Sequence, residues 1–173
     1  LMDGLTGSAA LVEGKKPREH QLTAISKAYA HYITEGNDRG KLIMACGTGK
    51  TYTSLLIAEQ LLQGHGLVLF MVPSIALLGQ SLNAWCADAK KPIKAVCICS
   101  DAKASRKTRG DFDDTDDSVV DLAVPATTNS KSIAAQLKQY REHDGLVVVF
   151  STYQSIEAVA AAQEEILAET NGS

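Results

Sequence analysis

Gly47, Gly49, Lys50 and Thr51 fall within five residues, in the run LIMACGTGKTYTSLL (42–56). Each type suits an anion. The glycines let the backbone turn its N–H groups inward around a negative charge. A helix beginning near Lys50 would add its positive dipole end. The Lys50 ammonium can reach β- and γ-phosphates as a point charge, and the Thr51 hydroxyl can ligate Mg²⁺. Apolar residues precede the turn and resume after it at helical spacing. This is the strand–loop–helix context of a phosphate-binding loop. The pattern G-x-x-x-x-G-K-[ST] departs at one position, where Met44 replaces the first Gly. Met44, Ala45, Cys46, Gly47, Thr48 and Gly49 are therefore expected to cradle a nucleotide through their backbone. Lys50 and Thr51 are expected to supply the chemistry, with Thr51 on the metal.

The rest of the chain must position that loop. Residues 1–16 carry small residues without period and are expected to form a flexible lead-in. A single partial domain is expected over 17–173. Pro17 opens a helix whose apolar residues Leu22, Ile25, Tyr29, Tyr32 and Ile33 recur at helical spacing up to Gly36. The runs KLIMAC (41–46), LVLFMV (67–72), KAVCIC (94–99) and GLVVVF (145–150) predict buried strands, and SVVDLAV (118–124) a further short one. Helices are predicted over 50–63, 75–89, 131–143 and 155–169. Strands that do not alternate, separated by helices, predict an α/β fold: a mostly parallel sheet covered on both faces. The segment 101–117 holds a basic half (Lys103, Arg106, Lys107, Arg109) and then five aspartates. It is expected to be a solvated loop, with DNA contact by its basic half the minority reading.

Composition narrows the classes. Aromatics make up 5% of the chain, too few for a single-strand stacking platform. A net charge of −3 neither favours nor excludes nucleic acid, which one local surface can bind. Cys46, Cys86, Cys97 and Cys99 form no C-x-x-C pair, and buried free thiols in a reducing cytosol are expected. The apolar runs are too short to span a membrane, and the N-terminus lacks a signal-peptide layout. A cytoplasmic protein without membrane partners is expected.

MACGTGKT closely resembles motif I of superfamily 2 helicases and translocases, where Met or Ala commonly stands for the first Gly. It looks most like the restriction-enzyme branch (type I/III, ResIII-like), which often carries MATGTGKT. PREHQLTAI (17–25) resembles the R-x-x-Q element ahead of motif I. The resemblance implies that Gln21 reads the adenine edge, with Arg18 stacking on or supporting the base. VPSIALLGQSL (72–82) resembles motif Ia, P-T-R-x-L-x-x-Q. Pro73, Leu77 and Gln80 match in register, Ser74 stands for Thr, and Ile75 replaces the usual Arg, which loses a charged phosphate contact. VVVFSTYQSI (147–156) resembles the strand and turn of motif Ib, with Ser151 and Thr152 as candidate contacts and Tyr153 and Gln154 behind them. Pro73, Ser74, Gln80, Ser151 and Thr152 form the implied nucleic-acid set. PATTN (125–129) and FSTYQS (150–155) are similar to segments of large bacterial restriction or phage-defence helicases.

The family implies a three-layer, RecA-like P-loop NTPase fold, ATP and Mg²⁺ as cofactors, and DNA as partner, double-stranded DNA ahead of RNA. No D-E-A-H or D-E-x-x box occurs in the chain. The expectation is a part of a larger ATP hydrolase that stops before motif II and partners a second RecA-like domain elsewhere in the parent chain. Such a part should bind nucleotide and hydrolyse it poorly. The alternative is a P-loop domain without motor function, a kinase or regulatory ATPase. A kinase needs substrate-binding and lid segments and has no use for motif Ia.

Overall fold

Apolar runs without alternation favour strands with both faces covered. The computed structural model describes residues 15–100 and 125–171. Within it β1 (Gly66–Val72), β2 (Lys94–Ile98) and β3 (Leu146–Thr152) form one parallel sheet in the order β1-β3-β2. β3 is central, and it is buried along its whole length.

The helices are α1 (Glu19–Tyr29, continued by a π-helical turn, Ala30–Thr34), α2 (Lys50–Leu61), α3 (Ile75–Asp88), α4 (Ser130–Gln139) and α5 (Ile156–Asn171). A 3₁₀ turn, Tyr153–Ser155, leads into α5. Local chemistry sets several of the boundaries. The Ser74 side chain accepts from the Leu77 N–H and caps α3, and the Asn129 side chain accepts from the Ser132 N–H and caps α4. After α2, Gly64 takes a positive φ of 74° and donates its N–H to the Glu59 carbonyl, which closes the helix end.

Strand residues alternate between two cores. Val96 pairs with Val149 and faces one side; Cys97 pairs with Phe150 and faces the other. On the Phe150 side pack Tyr52, Leu55 and Leu56 of α2 with Leu78, Leu82 and Trp85 of α3. On the Val149 side pack Ile133 of α4 with Val159 and Ala162 of α5. Phe70, Trp85 and Phe150 form an aromatic cluster with centroids 4.9–5.9 Å apart, at which spacing each pair adds about 0.5–1.5 kcal/mol beyond its burial. The result is a three-layer α/β domain.

The structure corrects three expectations about the elements. LVLFMV (67–72) is a strand, but it lies at the edge of the described sheet, and Leu67 and Leu69 leave one of its faces exposed. KLIMAC (41–46) is not a strand: the segment is irregular, and Leu42 and Ile43 are exposed. A strand needs a hydrogen-bonded neighbour, and none of the three described strands pairs with this segment. The apolar stripe of α1 is also largely outside, with Leu22, Tyr29 and Ile33 exposed, while Gln21 and Ala24 are the residues that helix buries. The expected strand 118–124, the loop 101–117 and most of the lead-in (1–14) lie outside the described residues. Lys15 is held against the domain: its ammonium pairs with Asp88 at 2.9 Å and lies over the Tyr52 ring. No described helix is long and apolar enough to cross a membrane.

Candidate functional site

The loop between residue 44 and α2 takes the backbone form that its glycines permit. Gly47 has φ 75° and Gly49 has φ 82°, both left-handed, and Gly49 is the N-cap of α2. Residues with a Cβ rarely adopt that region, so glycine is strongly favoured at both places. The Thr48 hydroxyl donates to the Ala45 carbonyl at 2.7 Å and ties the turn together. Lys50 Nζ folds back over the loop, 3.1 Å from the Ala45 carbonyl and 3.5 Å from that of Met44. The ammonium is thus held against the loop by two neutral acceptors, which an anion would outcompete. Thr51 lies in the first turn of α2, next to Lys50, and is half-buried.

Gln21 approaches this loop from α1 and is only 4% exposed. Its Nε2 donates to the Thr48 carbonyl at 3.2 Å and lies 3.4 Å from the Gly49 carbonyl. Its Oε1 accepts from the Arg18 N–H at 2.9 Å. The amide that the resemblance gave to adenine is here engaged with the loop backbone. The approach is so close that a Cβ on Gly49 would stand 2.6 Å from Gln21 Nε2. His20 reaches the same Thr48 carbonyl, 3.0 Å from its Nε2. Arg18 is exposed at the helix start.

A second support comes from α3. Trp85 Nε1 donates to the Thr51 carbonyl at 3.1 Å and so joins the aromatic core to the first turn after the loop. The helix predicted over 75–89 includes Trp85, but helical spacing discloses neither this bond nor the contact made by His20. A His beside the R-x-x-Q glutamine was the one available signal.

The nucleic-acid candidates divide by burial. Pro73, Ser74 and Gln80 are exposed at the start of α3. Ser151 is fully buried and donates to the Thr152 carbonyl; Thr152 is 3% exposed and bonds the Ser155 hydroxyl at 3.1 Å. In this arrangement neither side chain reaches a ligand outside. The exposed residues of that turn are Tyr153 and Gln154. Met71 pairs with Ser151 and Val72 with Thr152, so the Pro73–Ser74 and Tyr153–Gln154 turns emerge side by side at the carboxyl edge of the sheet.

The thiols also divide. Cys97 and Cys99 are buried, whereas Cys46 and Cys86 are exposed, against the expectation of four buried thiols. Cys46 sits in the loop, and Cys86 follows Trp85 round the helix and so leaves the core face. Burial, with Cys99 and Cys86 nearby, pushes the Cys97 thiol up to about 12. A cavity of about 680 Å³ opens among His65, Leu67, Tyr140, His143 and Val147, at the amino ends of β1 and β3, and includes none of the loop residues.

The family model described as type III restriction enzyme, res subunit, matches residues 14–171. The chain belongs to that family. It sits in the restriction-enzyme branch of superfamily 2, and its parallel three-layer fold is that of a RecA-like helicase domain. It is similar to a nuclease-deletion mutant of the type ISP restriction-modification enzyme LlaGI, solved in complex with a DNA substrate mimic. The identity is 43% and the TM-score 0.71, over 87% of this chain and 14% of that one. It is similar also to the ATP-dependent type ISP restriction-modification enzyme LlaBIII, solved bound to DNA, with 40% identity and TM-score 0.72 over 88% of this chain and 10% of that one. Over 72 residues it is 39% identical to the type I restriction enzyme EcoAI endonuclease subunit of Escherichia coli, covering 40% of this chain and 9% of the relative. The chain thus spans a small part of the length of each relative. It is a helicase-like domain of the kind that restriction-modification enzymes carry.

Proposed function

We propose that this res-family domain is the ATP-binding portion of a DNA helicase or translocase within a larger restriction-modification or phage-defence protein. The observation that carries the reading is the loop itself: two left-handed glycines, the second capping α2, with Lys50 folded across the turn. The donor set fits a nucleotide triphosphate. Backbone N–H groups at a helix start, one ammonium and one hydroxyl at Thr51 are complementary to phosphate oxygens and a magnesium ion. Magnesium, when bound, offsets the phosphate charge. Lys50 exchanges its two carbonyl acceptors for phosphate oxygens, and the residues from Met44 to Gly49 hold the phosphates through the backbone. Arg18, exposed beside the loop, is available to the base.

DNA is assigned to the carboxyl edge of the sheet, where Pro73, Ser74 and Gln80 adjoin Tyr153 and Gln154. Without an Arg at 75, grip there comes from hydroxyl, amide and helix-start N–H groups. Double-stranded DNA is the proposed track, and a second RecA-like domain of the same parent protein would close over the nucleotide.

The test is equilibrium binding of ATP with Mg²⁺ to the 173-residue chain. Lys50→Ala should weaken it about 10- to 100-fold, the range for a charged hydrogen-bond donor. Equal affinity in the two proteins would refute the phosphate-loop reading. The chain has no D-E-x-x sequence, so hydrolysis by this domain alone should be negligible. Turnover that Lys50→Ala abolishes would contradict that part.

A further inference from the structure

We propose that His20 is a positioning residue for the phosphate loop, acting with Gln21 through one shared acceptor, the Thr48 carbonyl. The proposal rests on the nucleotide reading above and adds a residue to it. His20 Nε2 lies 3.0 Å from the Thr48 oxygen and Gln21 Nε2 lies 3.2 Å from it. A carbonyl oxygen has two lone pairs and only accepts, so both nitrogens donate and the His20 ring carries its proton on Nε2. Two donors from consecutive residues of α1 therefore fix the direction of one loop carbonyl.

That direction has a consequence for the loop. The described chain contains no cis peptide. In a trans peptide the carbonyl and the following N–H point in opposite directions. Pinning the Thr48 carbonyl toward α1 turns the Gly49 N–H away from α1, toward the mouth of the turn. The Gly49 carbonyl is held in the same way. It accepts from the Thr53 N–H at 2.9 Å and the Thr53 hydroxyl at 3.0 Å, with Gln21 Nε2 at 3.4 Å. The Lys50 N–H is thereby aimed the other way, out of the N-terminal end of α2. These are the N–H groups that a phosphate meets at a helix N-terminus.

Both ends of the Gln21 amide are engaged in this arrangement. Its donor nitrogen serves two loop carbonyls and its oxygen takes the Arg18 N–H. Reading an adenine edge would break these bonds inside a buried site, which costs the desolvation of the groups left unpaired. His20 is exposed, so its ring is free to hold the carbonyl without any burial penalty. The pair thus acts on the phosphates and is indifferent to the base.

The experiment compares ATP, GTP and inorganic tripolyphosphate, each with Mg²⁺, binding to the 173-residue chain and to His20→Ala, His20→Gln and Gln21→Ala. The amide resonance of Gly49 is followed in the same proteins without ligand. His20→Ala should weaken all three ligands to a similar degree, about 3- to 10-fold for one hydrogen bond. It should also shift the Gly49 amide. Gln carries a donor nitrogen at comparable reach, so His20→Gln should restore binding to within about twofold and return the amide shift. Gln21→Ala should weaken all three by more than His20→Ala does. A loss confined to ATP overturns the proposal in favour of base reading. Unchanged binding and an unchanged Gly49 amide in His20→Ala overturn it as well, as does a failure of Gln to rescue either. If the unsubstituted chain binds none of the three ligands, the nucleotide reading falls; the Gly49 amide then still decides whether His20 orients the loop.

Discussion

Gly49→Ala and Gly47→Ala form a matched pair that isolates the contact between α1 and the loop. Both glycines sit at left-handed φ, 82° and 75°. Placing an L-residue there costs about 1–2 kcal/mol at either site. The surroundings differ. A Cβ at Gly47 meets nothing within 4 Å, whereas one at Gly49 lies 2.6 Å from Gln21 Nε2. To clear it, the Gln21 amide must leave the Thr48 and Gly49 carbonyls, and each lost bond is worth about 0.5–1.5 kcal/mol net. Gly47→Ala should therefore cost about 1–2 kcal/mol and Gly49→Ala about 2–5 kcal/mol. The assay is urea unfolding followed by the fluorescence of Trp85, the only tryptophan of the chain and 1% exposed. With a slope of about 2 kcal/mol per molar urea, Gly47→Ala should lower the midpoint by about 0.5–1 M and Gly49→Ala by about 1–2.5 M. A double-mutant cycle adds the decisive control. In a Gln21→Ala background the side chain that the new Cβ would strike is gone, and Gly49→Ala should cost no more than Gly47→Ala. Equal effects of the two single substitutions, or an undiminished Gly49→Ala cost without Gln21, would refute the reasoning.

Trp85→Phe keeps an aromatic ring in the cluster but removes the donor to the Thr51 carbonyl; a loss of about 1–3 kcal/mol is expected in thermal unfolding followed by circular dichroism, and no change would remove Trp85 as a support of the loop. Native protein should show two accessible thiols of four toward a disulfide reagent, Cys46 before Cys86, whose thiol burial raises, with Cys97 and Cys99 reacting only on unfolding. The Cys97 thiol, raised by burial to about 12 from 9.0, keeps its proton in the folded state over a range where the unfolded chain loses it. Its contribution to stability is thus complete below about pH 9 and declines as pH rises toward 12; Cys97→Ala should flatten that part of the stability–pH profile, and an unaltered slope would exclude the assignment. Glu59 is 6% exposed, with Oε1 accepting from the Lys90 N–H at 2.8 Å and Oε2 3.5 Å from Lys90 Nζ. Glu59→Ala should cost about 1–3 kcal/mol in the urea assay by leaving that N–H without its acceptor, and a neutral result would mean that water replaces the carboxylate.

The sequence by itself determined the kind of loop, the main elements and the parallel α/β class. These depend on local rules: glycine for left-handed turns, apolar spacing for helices and apolar runs for strands. The composition of 42–56 was enough to place a left-handed glycine turn at the start of a helix, the form that the proposed phosphate loop needs, because that form depends on residue types in consecutive positions. The tertiary structure alone decided what depends on a distant neighbour. KLIMAC has the composition of a strand, yet no described strand lies beside it, and an unpaired strand leaves its backbone to solvent. Ser151 and Thr152 look available in a turn motif, but β3 is central and carries both into the interior. Gln21 and Arg18 are three residues apart in sequence, and nothing local says that the Gln21 amide turns to carbonyls 27 and 28 residues away. A side chain's type limits the bonds it can make. Which of them it makes is set by what the rest of the fold brings within about 3 Å of it.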